Sequence, residues 1–113
     1  MKLKVIEKYE AIVIEVKGNV LGGPEATEFS DTLKKLIGEG KKHIILDLSE
    51  VQFMNSSGLG MMISGLTTTR NGGGVMKLAN VTDKIHSLLM ITKLITIFEC
   101  FDSVDEALKS FAG

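Results

Sequence analysis

Near the start of the chain, Leu3, Val5 and Glu7 begin an extended stretch, and Ile12, Ile14 and Val16 alternate with Val13, Glu15 and Lys17. A period of two is the pattern of a half-buried strand, so two strands open the chain. Their connection near Tyr9 and Glu10 is short, which makes them an antiparallel hairpin, because parallel strands need a longer crossover. Gly18, Gly22 and Gly23 then mark a loop. Beyond it the period lengthens: Pro24 suits a first helical position, and Ala26, Phe29, Leu33, Leu36 and Ile37 share one face. The spacing predicts a helix from about Pro24 to Ile37, ended by Gly38 and Gly40.

The run Ile44, Ile45, Leu46, Asp47, Leu48 is nearly all apolar and of strand length, as expected for a central strand covered on both faces. Leu59, Met62, Ile63 and Leu66 recur at helical spacing, predicting a second helix that starts just after Ser56, fades toward Thr69 and stops at Gly72, Gly73 and Gly74. Val75 to Leu78 reads as a strand, Ile85, Leu88 and Leu89 as a third helical face, and Thr96 to Phe98 as a final strand. Ser103 and Glu106 have capping-box spacing before a terminal helix faced by Val104, Ala107, Leu108 and Phe111. A hairpin followed by alternating helices and strands predicts an α/β fold: a mixed sheet of about five strands packed with about four helices. At 113 residues, positions 1–113 are expected to form one domain.

Charge narrows the partners. Thirteen basic and fourteen acidic residues nearly cancel without a Lys/Arg block, so the cationic stripe that nucleic acid requires is missing. Glu7 interrupts the start before any signal-peptide core, and Lys93 and Thr96 break the most hydrophobic region, so a cytoplasmic chain that does not insert in a membrane is expected. Cys100, the one cysteine, fits a small core residue at a strand end and has no basic neighbour in sequence to favour a thiolate. His43 and His86 lack metal-ligand spacing and suit a strand edge and a helix surface, so neither metal nor cofactor is expected.

The segment from Asp47 to Gly60 departs from generic folding needs. It joins a buried strand to a helix start, with Phe53 and Met54 expected to anchor the loop in the core. Asn55 and Ser56 are both good N-cap types. Ser56 therefore has two readings: a cap, or an exposed hydroxyl that accepts a phosphoryl group, whose charge a helix N-terminus tolerates. Catalysis by Ser56 lacks support, because Met54 stands where a nucleophile elbow has glycine and no base and acid accompany it. The stretch Gly58, Leu59, Gly60 lacks the third glycine of a dinucleotide motif, and no phosphate-cradling GxxxxGK[ST] occurs.

This segment, DLSEVQFMNSSGLG, resembles the signature of STAS domains in anti-sigma factor antagonists, and the order of elements resembles that family over essentially the whole chain. The resemblance implies a STAS-like mixed sheet with stacked helices, and a loop that presents a serine before the second helix. It also implies a partner, an anti-sigma factor with ATP-dependent serine kinase activity, a cognate protein phosphatase, and no catalytic residue in the antagonist itself. Carried over by position, the phosphoacceptor is Ser56, with Ser57 as the adjacent hydroxyl. Asn55 stands where the family commonly has aspartate, and Leu21 where another aspartate is frequent, so negative charge near Ser56 is reduced. The partner surface is expected to comprise Asn55, Ser56, Ser57 and Gly58 together with Ser64, Thr67 and Thr68, which lie off the apolar face of the second helix. The expected function is partner switching, in which binding of the anti-sigma factor frees a sigma factor and serine phosphorylation weakens the complex. The alternative is a constitutive STAS scaffold in another signalling or lipid-transport complex, with Ser56 serving as a cap.

Overall fold

The computed structural model describes residues 1–9 and 11–112, so Glu10 in the expected hairpin connection lies outside the described residues. The elements are β1 (Lys2–Glu7), β2 (Ile12–Lys17), α1 (Pro24–Gly38), β3 (His43–Glu50), α2 (Ser56–Asn71), β4 (Val75–Ala79), α3 (Asp83–Ile91), β5 (Glu99–Phe101) and α4 (Val104–Ala112). The strands lie in the order β1-β2-β3-β4-β5. β1 and β2 are antiparallel, and each later pair is parallel because a helical crossover joins its strands. β3 is the central strand, as its continuous apolar run required.

Alternation along the strands makes two unequal layers. Ile12, Ile14, Ile44, Leu46, Met76 and Leu78 point to the face covered by α1, α2 and α3, where Phe29, Leu33, Met62, Leu66, Ile85 and Leu89 complete the larger core. The other face is thinner, with Val13, Ile45 and Ala79 packed on Ala107 of α4 and half-buried Phe101, Val104, Leu108 and Phe111 around them. Lys77 points into that second layer and is nearly buried. Its ammonium donates to Ser110 Oγ at 2.7 Å and lies 4.1 Å from the Phe111 ring centre, so the desolvated charge has partners.

The final strand sits later than its β-rich sequence predicts. Lys93 adopts a left-handed conformation (φ 62°), Leu94–Thr96 form a 3-10 turn, and Thr96 Oγ1 donates to the Lys93 carbonyl. Chain reversal into the core at Phe98 therefore overrides strand propensity, and pairing begins at Glu99 opposite Lys77. Cys100 is half-buried in β5, opposite Leu78, and burial raises its thiol pKa. His43 opens β3 with its ring stacked on Phe111 at 4.4 Å, and His86 is exposed on α3. At α4, the Glu106 N–H donates to Ser103 Oγ, while the Glu106 carboxylate reaches Asp102 N–H, one residue before the predicted capping-box partner.

Candidate functional site

The loops after β2, β3 and β4 meet at the carboxyl end of the parallel strands. Val20 N–H donates to the Phe53 carbonyl at 3.0 Å, Asn55 N–H to the Val20 carbonyl at 3.3 Å, and Gly18 N–H to the Glu50 carbonyl at 3.2 Å. These bonds lay the β2–α1 loop beside the β3–α2 loop as a short parallel bridge between Val20 and Met54. From the third loop, Thr82 Oγ1 donates to the Val51 carbonyl at 3.2 Å, and Asn80 Nδ2 to Asp47 Oδ1 at 3.2 Å. The start of α2 is thereby fixed from both sides.

Helix α2 is capped by Asn55. Its backbone is extended (φ −96°, ψ −176°), and its Oδ1 accepts from Gly58 N–H at 2.7 Å. The cap role considered for Ser56 is filled by its predecessor, and Ser56 is the first helical residue, one position earlier than periodicity predicts. An amide-type cap reaches the third helical N–H and leaves Ser56 side-chain chemistry free. Ser56 and Ser57 are exposed, and among the described residues their hydroxyls make no hydrogen bond within the chain.

Of the other expected surface residues, Ser64 and Thr67 are exposed, Thr68 is half-buried, and Asn55 is half-buried at the cap. Gly58 is buried, and a Cβ there would lie 1.9 Å from the Val20 carbonyl oxygen, so this residue is the spacer that lets the two loops meet and is not an open contact surface. Gly22 does similar work on the facing loop: its φ is +80°, and a Cβ would lie 2.8 Å from that of Ser57.

Two features went unread in the sequence. Gly60 is exposed between Ser56 and Ser64 at helical spacing, completing an uncharged stripe along α2 that the 3.6-residue period could have revealed. Phe53 does not anchor the loop: Met54 is buried, whereas Phe53 is 54% exposed. In a bridge, consecutive side chains point to opposite sides, so burying Met54 beside Val20 turns Phe53 outward. Leu21, after Val20 on the paired loop, is 44% exposed for the same reason. Among the described residues no group of His, Cys, Asp and Glu is arranged to hold a metal ion, and no helix is long and apolar enough to cross a membrane.

Comparison with known proteins agrees with this geometry. An anti-sigma F factor antagonist of Paenibacillus polymyxa is 36% identical over 67 residues, which are 59% of this chain and 57% of that protein. This alignment thus covers little more than half the relative's length. A Thermotoga maritima protein of known structure superposes with a TM-score of 0.87 at 20% identity, covering 98% of this chain and 95% of that one. The Bacillus cell fate determinant SpoIIAA in its phosphorylated form gives 0.72 at 18% identity over 96% of this chain and 98% of its own. At such identities these two superpositions show the fold, a five-stranded mixed sheet with four α-helices. The profile described as STAS domain matches residues 2–107, nearly the whole length, and the chain belongs to the STAS domain family.

Proposed function

We propose that this chain is an anti-sigma factor antagonist that works by partner switching. Unmodified, it binds an anti-sigma factor that is also a serine kinase, and so frees a sigma factor. Phosphorylation of Ser56 weakens that complex, and a protein phosphatase restores it. The observation that carries this reading is an exposed, unbonded Ser56 hydroxyl at the first position of α2, with Asn55 doing the capping. The name of the Paenibacillus polymyxa relative supports the partner class. In this reading the chain acts by binding, with Ser56, Ser57 and Asn55 at the contact and Ser64, Thr67 and Thr68 extending it along α2.

A phosphate on Ser56 adds about −1.5 to −2 charges where the helix N-terminus favours an anion by up to roughly 2 kcal/mol. The domain therefore keeps its fold while the partner meets new charge and bulk. Incubation with the cognate kinase and ATP, followed by phosphopeptide mapping, is expected to place phosphate on Ser56. Modification of Ser57 alone removes Ser56 from the acceptor role. Affinity for the anti-sigma factor is then compared between the two forms at fixed salt, together with thermal midpoints. A hundredfold loss, about 2.8 kcal/mol, with little change in midpoint is the expected result; equal affinities refute the switch.

A further inference from the structure

We infer that Leu21 and Phe53 form an apolar anchor for the anti-sigma factor beside the phosphoacceptor; the inference rests on the reading that this partner engages Ser56. Leu21 and Phe53 come from different loops. The Val20–Met54 bridge holds those loops side by side, buries Val20 and Met54, and by alternation turns Leu21 and Phe53 to the outer side. Exposed apolar side chains occur elsewhere on the surface; what sets Leu21 and Phe53 apart, 44% and 54% exposed, is that one bridge holds them on adjacent loops beside the start of α2.

The occupant follows from position. Leu21 is level with Asn55 across the bridge, and Phe53 precedes Ser56 by three residues. A protein partner covers about 800 Å² on each side of a stable interface. One that reaches the Ser56 hydroxyl must cover these neighbours as well. Charge sets the partner's chemistry: residues 18–24 and 51–65 contain no Asp, Glu, Lys, Arg or His. The matching partner surface is an uncharged apolar recess that receives Phe53 and Leu21, in place of a basic patch that would suit acidic loops. Phosphorylation of Ser56 then places a strongly hydrated group at the rim of a contact that must be dry.

The test measures binding of the purified cognate anti-sigma factor to the full chain and to four variants by calorimetry, with thermal midpoints recorded for each. Leu21→Ser and Phe53→Ser are expected to weaken binding at least about tenfold with midpoints nearly unchanged. Phe53→Leu retains most of the affinity because it keeps an apolar side chain. A double variant, Met90→Ser with Ile91→Ser, removes exposed apolar residues at the far end of α3 and is expected to bind normally. Full affinity in Leu21→Ser and Phe53→Ser overturns the anchor, and so does an equal loss in the Met90/Ile91 variant. If those variants bind normally while Ser56 phosphorylation abolishes binding, the anchor fails and the switch stands. If phosphorylation is also without effect, both fail.

Discussion

The two ends of the parallel strands are tied together by different balances of backbone bonding and side-chain charge. At the carboxyl end, backbone hydrogen bonds join Gly18 to Glu50, Val20 to Phe53 and Asn55 to Val20, and a threonine and an asparagine tie in the loop after β4. At the amino end, Val75 N–H donates to the Lys42 carbonyl at 2.8 Å, and the β1–β2 hairpin meets the α1–β3 loop through an ion pair between Lys41 and Glu7, with Glu39 3.3 Å from the same ammonium. Backbone bonds are short-range and directional and respond little to salt, whereas exposed ion pairs are screened and individually weak. Beside one exposed pair there, Lys17 and Glu50 at 3.6 Å, the carboxyl end is held chiefly by backbone bonds, which suits the proposed presentation of Ser56 to a partner. Much of the tie between these loops runs through main-chain groups, including those of Phe53 and Asn55.

The sharpest way to break this contrast is at Gly58. A Cβ built there meets the Val20 carbonyl oxygen at 1.9 Å and its carbon at 2.7 Å, so backbone must move, since no flexible side chain is available to yield. Gly58→Val is expected to cost roughly 3 kcal/mol or more, read by urea denaturation, with Gly58→Ala less severe. Retention of wild-type stability by both would show that the loops do not depend on close approach. Gly22→Ala follows in size. Its φ of +80° and the 2.8 Å approach to Ser57 Cβ combine strain with crowding. A loss of about 1–2 kcal/mol is expected, together with slower Ser56 phosphorylation as the start of α2 shifts.

Asn55 probes the cap. Replacing it with alanine removes the 2.7 Å bond to Gly58 N–H and should cost about 1 kcal/mol. Asn55→Asp keeps an acceptor and is expected to leave the denaturation midpoint nearly unchanged while altering phosphorylation rate or partner affinity through its added charge. Unaltered rate and affinity would show that charge at this position is functionally silent.

Particular residues explain what the sequence disclosed. Strand and helix order was legible because Ile12, Ile14 and Val16, or Leu59, Met62 and Leu66, keep one periodicity through a whole element. The final strand was misplaced because Thr96 and Ile97 have high β-propensity, while the left-handed Lys93 and the burial of Phe98 are tertiary decisions with no local signature. At the site, the segment around Ser56 stood out, but the division of labour between Asn55 and Ser56 did not, since both residue types cap well. The orientation of Phe53 was hidden for a further reason. It depends on Val20, more than thirty positions earlier, meeting Met54 across a loop-to-loop bridge.

The smallest effect is expected at the opposite end. Hydrogen bonds to Glu7 first, and to Glu39 next, hold the Lys41 ammonium pKa above the ordinary lysine value of 10.5. The Lys41 and Glu7 side chains remain 38% and 62% exposed, so water and salt screen the pair. Because the pKa is raised by folding, the pair's contribution is complete below the unfolded value and is lost as pH rises through the higher folded one. Lys41→Met should therefore lower the thermal midpoint only slightly at pH 7, and less at high salt. As pH climbs past the ordinary lysine range, the gap between variant and wild type should close further. Thermal melts at low and high salt, repeated into that alkaline range, check this. A large, salt-insensitive loss at neutral pH would place structural weight on the amino-end ion pair and remove the contrast between the two ends, whereas a small, screened loss leaves the backbone-stitched carboxyl end as the rigid one.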